Sequence, residues 1–376
     1  MRAARVAVTA TFAANGALFG SFYSRVPALQ EGAGLSDGTL GVGLFALALA
    51  ALFAHPLTGA LVARIGSPAA VRIGGAVYGA ALFVPALAGG LPLFVVGAVL
   101  VGTGAGLLDV SMNVAGAEVE RRSPRRMFSS LHAAFSFGGM TGAALGGLVA
   151  GADVPVEAHL LAAGVLGAAI VLTATRWMLP GAGHAGPAFA RPTRALAAVG
   201  VIAFCALLAE GSVSDWSAIY IDREMAASAV VAAAGLTAFQ FCMGVGRLSA
   251  DPLAERFGPQ SVVRAGGALG VAGMLLTLLG GSAATAIAGF ALLGLALAGT
   301  FPLALIVSAE RAGEAGAPAA IAAISTAGYT GLLLGPALIG FVSEATSLPV
   351  ALAGIVALCA LLGVFGGTLR PRQPAR

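Results

Sequence analysis

Residues 283–307 read AATAIAGFALLGLALAGTFPLALIV, twenty-five in a row without a charged side chain. At ~1.5 Å of rise per helical residue, such a run outreaches the ~30 Å hydrocarbon layer of a bilayer. The same texture extends in both directions. Hydrophobic residues make up 59% of the 376 residues and charged residues only 10%, and the mean hydropathy is +0.96. One soluble core could not absorb that much apolar surface. Twelve such blocks are predicted as spans, at 6–28, 38–62, 69–89, 92–117, 127–151, 157–179, 195–220, 228–250, 262–281, 283–307, 318–342 and 348–369. In lipid every backbone amide must be paired within its own segment, so these blocks read as helices. The short alternating strands of a membrane barrel do not occur. The first block reads as a span rather than a cleaved signal peptide. It is long, carries Asn15 and four aromatics, and ends in Arg25-Val26-Pro27. The expected fold class is an all-α membrane protein of twelve transmembrane helices.

All twenty basic residues are arginine. With the N-terminus in the cytoplasm, eighteen fall on the inner side and only Arg25 and Arg223 outside. The outer loops instead hold Glu31, Asp37, Asp153, Glu157, Asp222, Glu224 and Glu344. This positive-inside bias predicts a multi-pass protein of the cytoplasmic membrane with both termini inside. It also accounts for the net charge of +4, so nucleic-acid binding is not implied. Cys205, Cys242 and Cys359 are scattered through the spans and read as small packing residues. Four scattered histidines provide no metal-ligand spacing, so no metal or cofactor is expected.

The chain repeats itself. Ala63-Arg64-Ile65-Gly66 returns as Glu255-Arg256-Phe257-Gly258, an offset of 192. Gly139-Met140-Thr141-Gly142 with Gly146 returns as Gly328-Tyr329-Thr330-Gly331 with Gly335, an offset of 189, and Glu120-Arg121 returns as Glu310-Arg311, an offset of 190. Each match falls at the same place in a six-helix half. Two parallel six-helix repeats follow, at 1–180 and 195–376, joined by a Gly/Pro/Ala-rich cytoplasmic link at 181–194. This is an arrangement of secondary transporters that hold substrate between the halves.

With these stretches in view the whole chain resembles the major facilitator superfamily. Gly59-Ala60-Leu61-Val62-Ala63-Arg64-Ile65-Gly66 looks like that family's cytoplasmic gating loop. The second copy, Asp251-Pro252-Leu253-Ala254-Glu255-Arg256-Phe257-Gly258, follows Gly246-Arg247-Leu248. The resemblance implies a charge relay that holds the inward face shut. Ala63 stands where the first copy normally has Asp, so the relay is expected to be stronger in the C-terminal half, through Arg247, Asp251, Glu255 and Arg256. Asp109-Val110-Ser111-Met112-Asn113, His132-Ala133-Ala134-Phe135-Ser136 and Glu210-Gly211-Ser212-Val213-Ser214-Asp215-Trp216 look like the YbjJ-type branch of bacterial inner-membrane transporters. Gly138, Gly142, Gly146 and Gly147 resemble the glycine motif of drug/proton antiporters without its proline. The alternative is plain helix packing through small residues.

Ionisable groups in spans are costly, and each is a functional candidate. A proton-coupled carrier needs a carboxyl that burial keeps neutral and water lets ionise. Asp109 and Glu210 are the first candidates, with a structural interhelical hydrogen bond as the alternative for each. Glu118 and His132 are further candidates; the alternatives are pairing with the Arg121–Arg126 cluster for Glu118 and a structural hydrogen bond for His132. Asp215 reads as a surface or gate residue, and His55 as a helix-end residue. The substrate wall is expected to include Asn15, Phe19 and Tyr23 on one face of the first span, with Asn113, Ser214, Gln240 and Tyr329. Arg25 and Arg247 are placed at span ends, so no cation is expected at mid-membrane. That favours a small neutral or cationic cargo over an anion.

The expected function is secondary active transport by alternating access, driven by a proton gradient, in a monomer within the lipid bilayer. No nucleotide-binding loop, nucleophile–base pair or zinc motif is present, which argues against an ATP-driven pump or an intramembrane enzyme. A drug or lipid exporter of the same fold, or a non-transporting sensor or scaffold, remains as the alternative.

Overall fold

A computed structural model of the chain describes residues 1–123, 127–181 and 193–369. Among them are twelve helices long and apolar enough to cross a membrane. They are α1 (Arg2–Tyr23), α2 (Asp37–Ile65), α3 (Ser67–Leu87), α4 (Leu91–Arg121), α5 (Phe128–Gly151) and α6 (Val156–Trp177) in the first half. The second half holds α7 (Ala197–Glu224), α8 (Ala229–Phe257), α9 (Pro259–Leu279), α10 (Ala283–Gly313), α11 (Gly316–Ala345) and α12 (Leu348–Leu369). Most of the link expected at 181–194 lies outside the described residues.

Several helices overrun the expected spans by a turn or more, because polar residues at membrane level still continue a helix. The first span is the exception. It stops at Tyr23, and a separate short helix covers Val26–Gly32. Pro27 sits in the first turn of that short helix, where its missing N–H costs nothing and its ring disfavours a continuous helix from α1.

The duplication is visible in the packing. Within the first half α1 packs on α5 and α6, α2 on α4, and α3 on α4 and α6. In the second half α7 packs on α11 and α12, α8 on α10, and α9 on α10 and α12. Each pair recurs six helices later. The turns repeat too: Gly66 has φ 79 and ψ 158, Gly258 has φ 82 and ψ 148. Both occupy a backbone region that a side chain makes strained, and each joins two helices end to end. The halves meet along two equivalent seams, α5 on α8 and α2 on α11.

Below, the Arg-rich face is the one carrying the Gly66 and Gly258 turns, and the Arg-poor face is the opposite one.

The glycines of α5 pack. A Cβ on Gly138 would lie 2.0 Å from the Ala13 carbonyl oxygen, and one on Gly142 would lie 2.1 Å from that of Ala17. In the second half, a Cβ on Gly331 would lie 2.3 Å from the Phe204 carbonyl oxygen. The small residues let main chains touch. Gly142→Leu is therefore expected to drive α1 and α5 apart. Overpacking of this kind costs ~1–3 kcal/mol or more. Thermal unfolding in detergent checks it, and an unchanged midpoint would contradict the close packing.

Candidate functional site

Polar side chains gather where the halves meet, in two clusters. The first is on the α4 side. Asn113 donates to the Asp109 main-chain oxygen at 2.8 Å and to its Oδ1 at 3.2 Å. Asp109 is also within electrostatic reach of His55 on α2 and Tyr329 on α11. The His55 and Tyr329 rings stand edge to face at 5.1 Å, and Phe301 lies beyond Tyr329 at 6.2 Å. His55 is thus not a helix-end residue. Pro56 sits inside α2, which continues to Ile65; prolines are tolerated where a membrane bundle re-satisfies the freed backbone group.

The second cluster joins α7, α8 and α5. Arg247 donates to Glu210 at 3.1 Å, to the Ser136 hydroxyl at 2.8 Å and to the His132 carbonyl oxygen at 3.3 Å. The Arg247 and Glu210 side chains are only 13% and 21% exposed. This corrects the expectation that no cation reaches the bundle and that Arg247 serves the loop. The guanidinium turns inward because Glu210 and the α5 acceptors satisfy it there, and Arg is suited to several fixed hydrogen bonds at once.

Other candidates sit elsewhere. Glu118 pairs with Arg121 and, at 2.7 Å, with Arg122 on its own helix. It is a helix-end ion pair and touches neither cluster. The His132 ring packs edge-on to Phe12 at 5.5 Å and against Phe128 at 5.3 Å. Among the described residues these ring contacts are with aromatic side chains, and no ion pair joins His132 to an acid. Ser214 donates to the Glu210 main-chain oxygen at 2.9 Å and is buried, so its hydroxyl is spent within α7 rather than on a cavity wall. Asn15 is buried and faces the Met112 sulfur at 3.4 Å, between α1 and α4. Gln240 is buried against Gly139 in the α5–α8 seam. Phe19 and Tyr23 are half-buried and stack at 4.5 Å, with Phe135 of α5 5.6 Å from Phe19.

In the gating loops, Gly59 has open space beside it and Arg64 is exposed, with no ion pair among the described residues. In the second copy Ser129 of α5 donates to Asp251 at 2.6 Å, across the halves. Arg256 lies over the Phe257 ring at 5.1 Å, and Glu255 is exposed. The contacts made by this loop do not form the expected chain of acids and bases: Asp251 takes a serine, and Arg247 has left for Glu210.

The Arg-poor end carries a latch that the sequence did not reveal. Asp37, at the start of α2, accepts from Arg223 of α7 at 2.6 Å, Ser343 of α11 at 2.6 Å and Gln30 at 2.8 Å. The Gly38 amide donates to Glu344 at 2.7 Å. Both acids were legible only as outer-loop charge. Beside the latch, Arg25 is buried and donates to the Val154 carbonyl oxygen at 2.9 Å. Burial lowers its pKa, an effect partly offset by Glu157.

A concavity of about 850 Å³ lies between α1 and α6, lined by Ala7, Ala10, Ile170 and Trp177 among others. It belongs to neither cluster. Among the described residues no group of three or more His, Cys, Asp or Glu could hold a metal ion.

The model of the Major Facilitator Superfamily matches residues 7–199 and 199–376. An uncharacterized MFS-type transporter of Yersinia pestis is 34% identical over 342 residues, covering 89% of this chain and 88% of the relative. The uncharacterized transporter y4wD of Sinorhizobium fredii is 33% identical over 372 residues, 96% of this chain and 97% of its own length. The membrane protein MosC of Rhizobium meliloti is 28% identical over 379 residues, 98% of this chain and 91% of its own. Among solved structures, a mutant of the nucleoside transporter NupG superposes with a TM-score of 0.77 at 13% identity, covering 97% of this chain and 99% of that one. A mutant of the E. coli fucose:proton symporter FucP gives 0.64 at 17% identity, covering 98% of each chain. With its duplicated helices, its paired glycine turns and a family match over both halves, the chain belongs to the major facilitator superfamily.

Proposed function

We propose that this secondary transporter is proton-coupled and moves a small neutral or cationic solute across the cytoplasmic membrane, with the Arg-rich face and both termini inside. The observation that carries the coupling is the Glu210–Arg247 pair, which ties α7 and α8 to Ser136 of the other half. Protonating Glu210 removes its attraction for Arg247, the side chain whose bonds to Ser136 and the His132 carbonyl cross between the halves. Asp109 is the second candidate carrier, because its partners His55 and Tyr329 lie on α2 and α11, one on each side of the other seam. Glu210 compensates Arg247, and among the described residues the two clusters leave no cation without a counter-ion. That balance favours a neutral or cationic solute over an anion. The resemblance in fold to a nucleoside transporter and a fucose:proton symporter is compatible with a neutral polar cargo. The latch supports reading this conformation as closed at the Arg-poor face.

The test uses purified protein in liposomes loaded with a pH-sensitive dye, offered sugars, nucleosides, amino acids, polyamines and hydrophobic cations. Solute-driven proton movement with one class is the expected result, and its sign separates symport from antiport. Proton-independent flux of a solute would overturn the coupling. For the solute that scores, Asp109→Asn is expected to abolish uphill accumulation while downhill exchange continues; uphill transport at the parent rate would remove Asp109 from the coupling role. Cysteines placed at Arg64 and Glu344, labelled from either side, check the orientation.

A further inference from the structure

Asp215 was legible as a surface or gate residue, yet it is 3% exposed. Its neighbours on α7, Ser214, Trp216 and Ser217, are buried as well. Among the described residues no basic side chain forms an ion pair with it; the four ion pairs there involve other acids. Arg223 is eight residues further along α7, ~12 Å away along the helix axis, and is engaged with Asp37. The Asp215 carboxyl interacts with the phenol of Tyr23, on α1 of the other half. Tyr23 in turn is walled by Phe19 at 4.5 Å and Phe22 at 5.2 Å. The titratable groups acting in this pocket are Tyr23 itself and, through Tyr23, Tyr78 of α3. Of the other charges at this end, Asp37, Arg223 and Glu344 are held in the latch, and Arg25, buried two residues beyond Tyr23, donates to the Val154 carbonyl oxygen.

We propose that Asp215 is a proton-binding site of the transport cycle, charged and discharged from the Arg-poor face and closed off in the conformation seen here. A carboxylate shut away from water with no cation is strongly disfavoured against the neutral acid, which needs only a hydrogen-bond partner. The enclosure itself, with no cation paired to the carboxyl among the described residues, keeps the proton on Asp215 while α1 and α7 are together. When the latch releases and the two helices part, water reaches the carboxyl and stabilises its charged form. The proton passes to water as hydronium and the carboxylate remains. On closure the reverse step reloads it. The alternating environment depends on the rocking-half reading above, but the occupancy of the site in the closed state does not.

That separation shapes the experiment. Infrared difference spectroscopy of the purified protein at neutral pH is expected to show the C=O band of a protonated carboxylic acid. The band should vanish in Asp215→Asn and persist in Asp109→Asn and Glu210→Gln. A band untouched by Asp215→Asn, or none in the parent protein, would overturn the assignment whether or not any solute is ever found. Should Asp215→Asn fail to fold, Tyr23→Phe is the second variant; losing the phenol should move the band, and an unmoved band would count against the site. The coupling half is read with Trp216. In a Trp177→Phe background it is the sole tryptophan, and it adjoins Asp215. Opening the latch with Asp37→Ala should then give Trp216 emission that titrates with pH, a titration lost on adding Asp215→Asn. Emission that is flat with pH in the latch-open protein would leave a buried structural acid and overturn the cycle role.

Discussion

Glu210→Gln is expected to abolish pH-driven accumulation of the transported solute and to lower the thermal midpoint as well. The amide keeps the size of the side chain but carries no charge, so Arg247 loses its counter-ion. Removing one partner of a fully buried pair costs ~3–5 kcal/mol. Here the two side chains keep 21% and 13% exposure, and Ser136 still holds the guanidinium, so the loss belongs nearer ~1–3 kcal/mol. The double variant Glu210→Gln/Arg247→Gln separates the two effects. Removing both charges should restore most of the stability, while coupled accumulation stays absent. Stability and coupling returning together would show that the pair is structural, and the coupling role of Glu210 would fall. Initial rates under an imposed pH gradient and differential scanning fluorimetry provide the two readouts.

Asp37→Ala should shift the protein toward the conformation open at the Arg-poor face. Three bonds from two elements of the other half and the short helix end on this one carboxylate. Arg223 is 42% exposed, so its share is small; the bonds from Ser343 and Gln30 are better shielded. Together their loss is worth ~2–3 kcal/mol, a change of more than tenfold in the ratio of closed to open forms. A cysteine in place of Ala337, which faces Gly41 across the closed seam, should then react with an impermeant maleimide at least tenfold faster in the Asp37→Ala background. Equal labelling rates would mean that the seam, and not the latch, holds this end shut.

The spans and the duplication were legible because both follow from length and composition. A run of some twenty apolar residues has few fates, and a repeated Arg-Ile-Gly or Arg-Phe-Gly turn reports its own backbone. What escaped was pairing between helices. Arg247 lies 37 residues from Glu210 in the chain, and threading by hydropathy put it at a span end. A long side chain can, however, move its charge well away from its Cα. His55 was misread because Pro56 suggested a helix end. Asp215 was misread for the opposite reason: its place near the end of a span implied water, but α1 of the other half closes over it. Ser214 and Asn15 were legible as polar groups in a membrane, though not as groups already satisfied nearby, by the Glu210 carbonyl and the Met112 sulfur. In each case the residue type was informative, and its partner was set by tertiary packing.

The seams themselves are lined by glycine. A side chain on Gly41 would reach within 2.8 Å of the Pro336 carbonyl oxygen, one on Gly340 within 2.6 Å of that of Asp37, and one on Gly147 within 2.6 Å of the Ala233 methyl. Where bulky side chains interlock, one surface moves past another only after its knobs have left their holes and found new rotamers. Smooth main-chain faces lack those teeth. They act as a bearing, along which two rigid bodies turn with little friction, and the barrier to turning is then set at the rim by a few polar clasps rather than along the shaft.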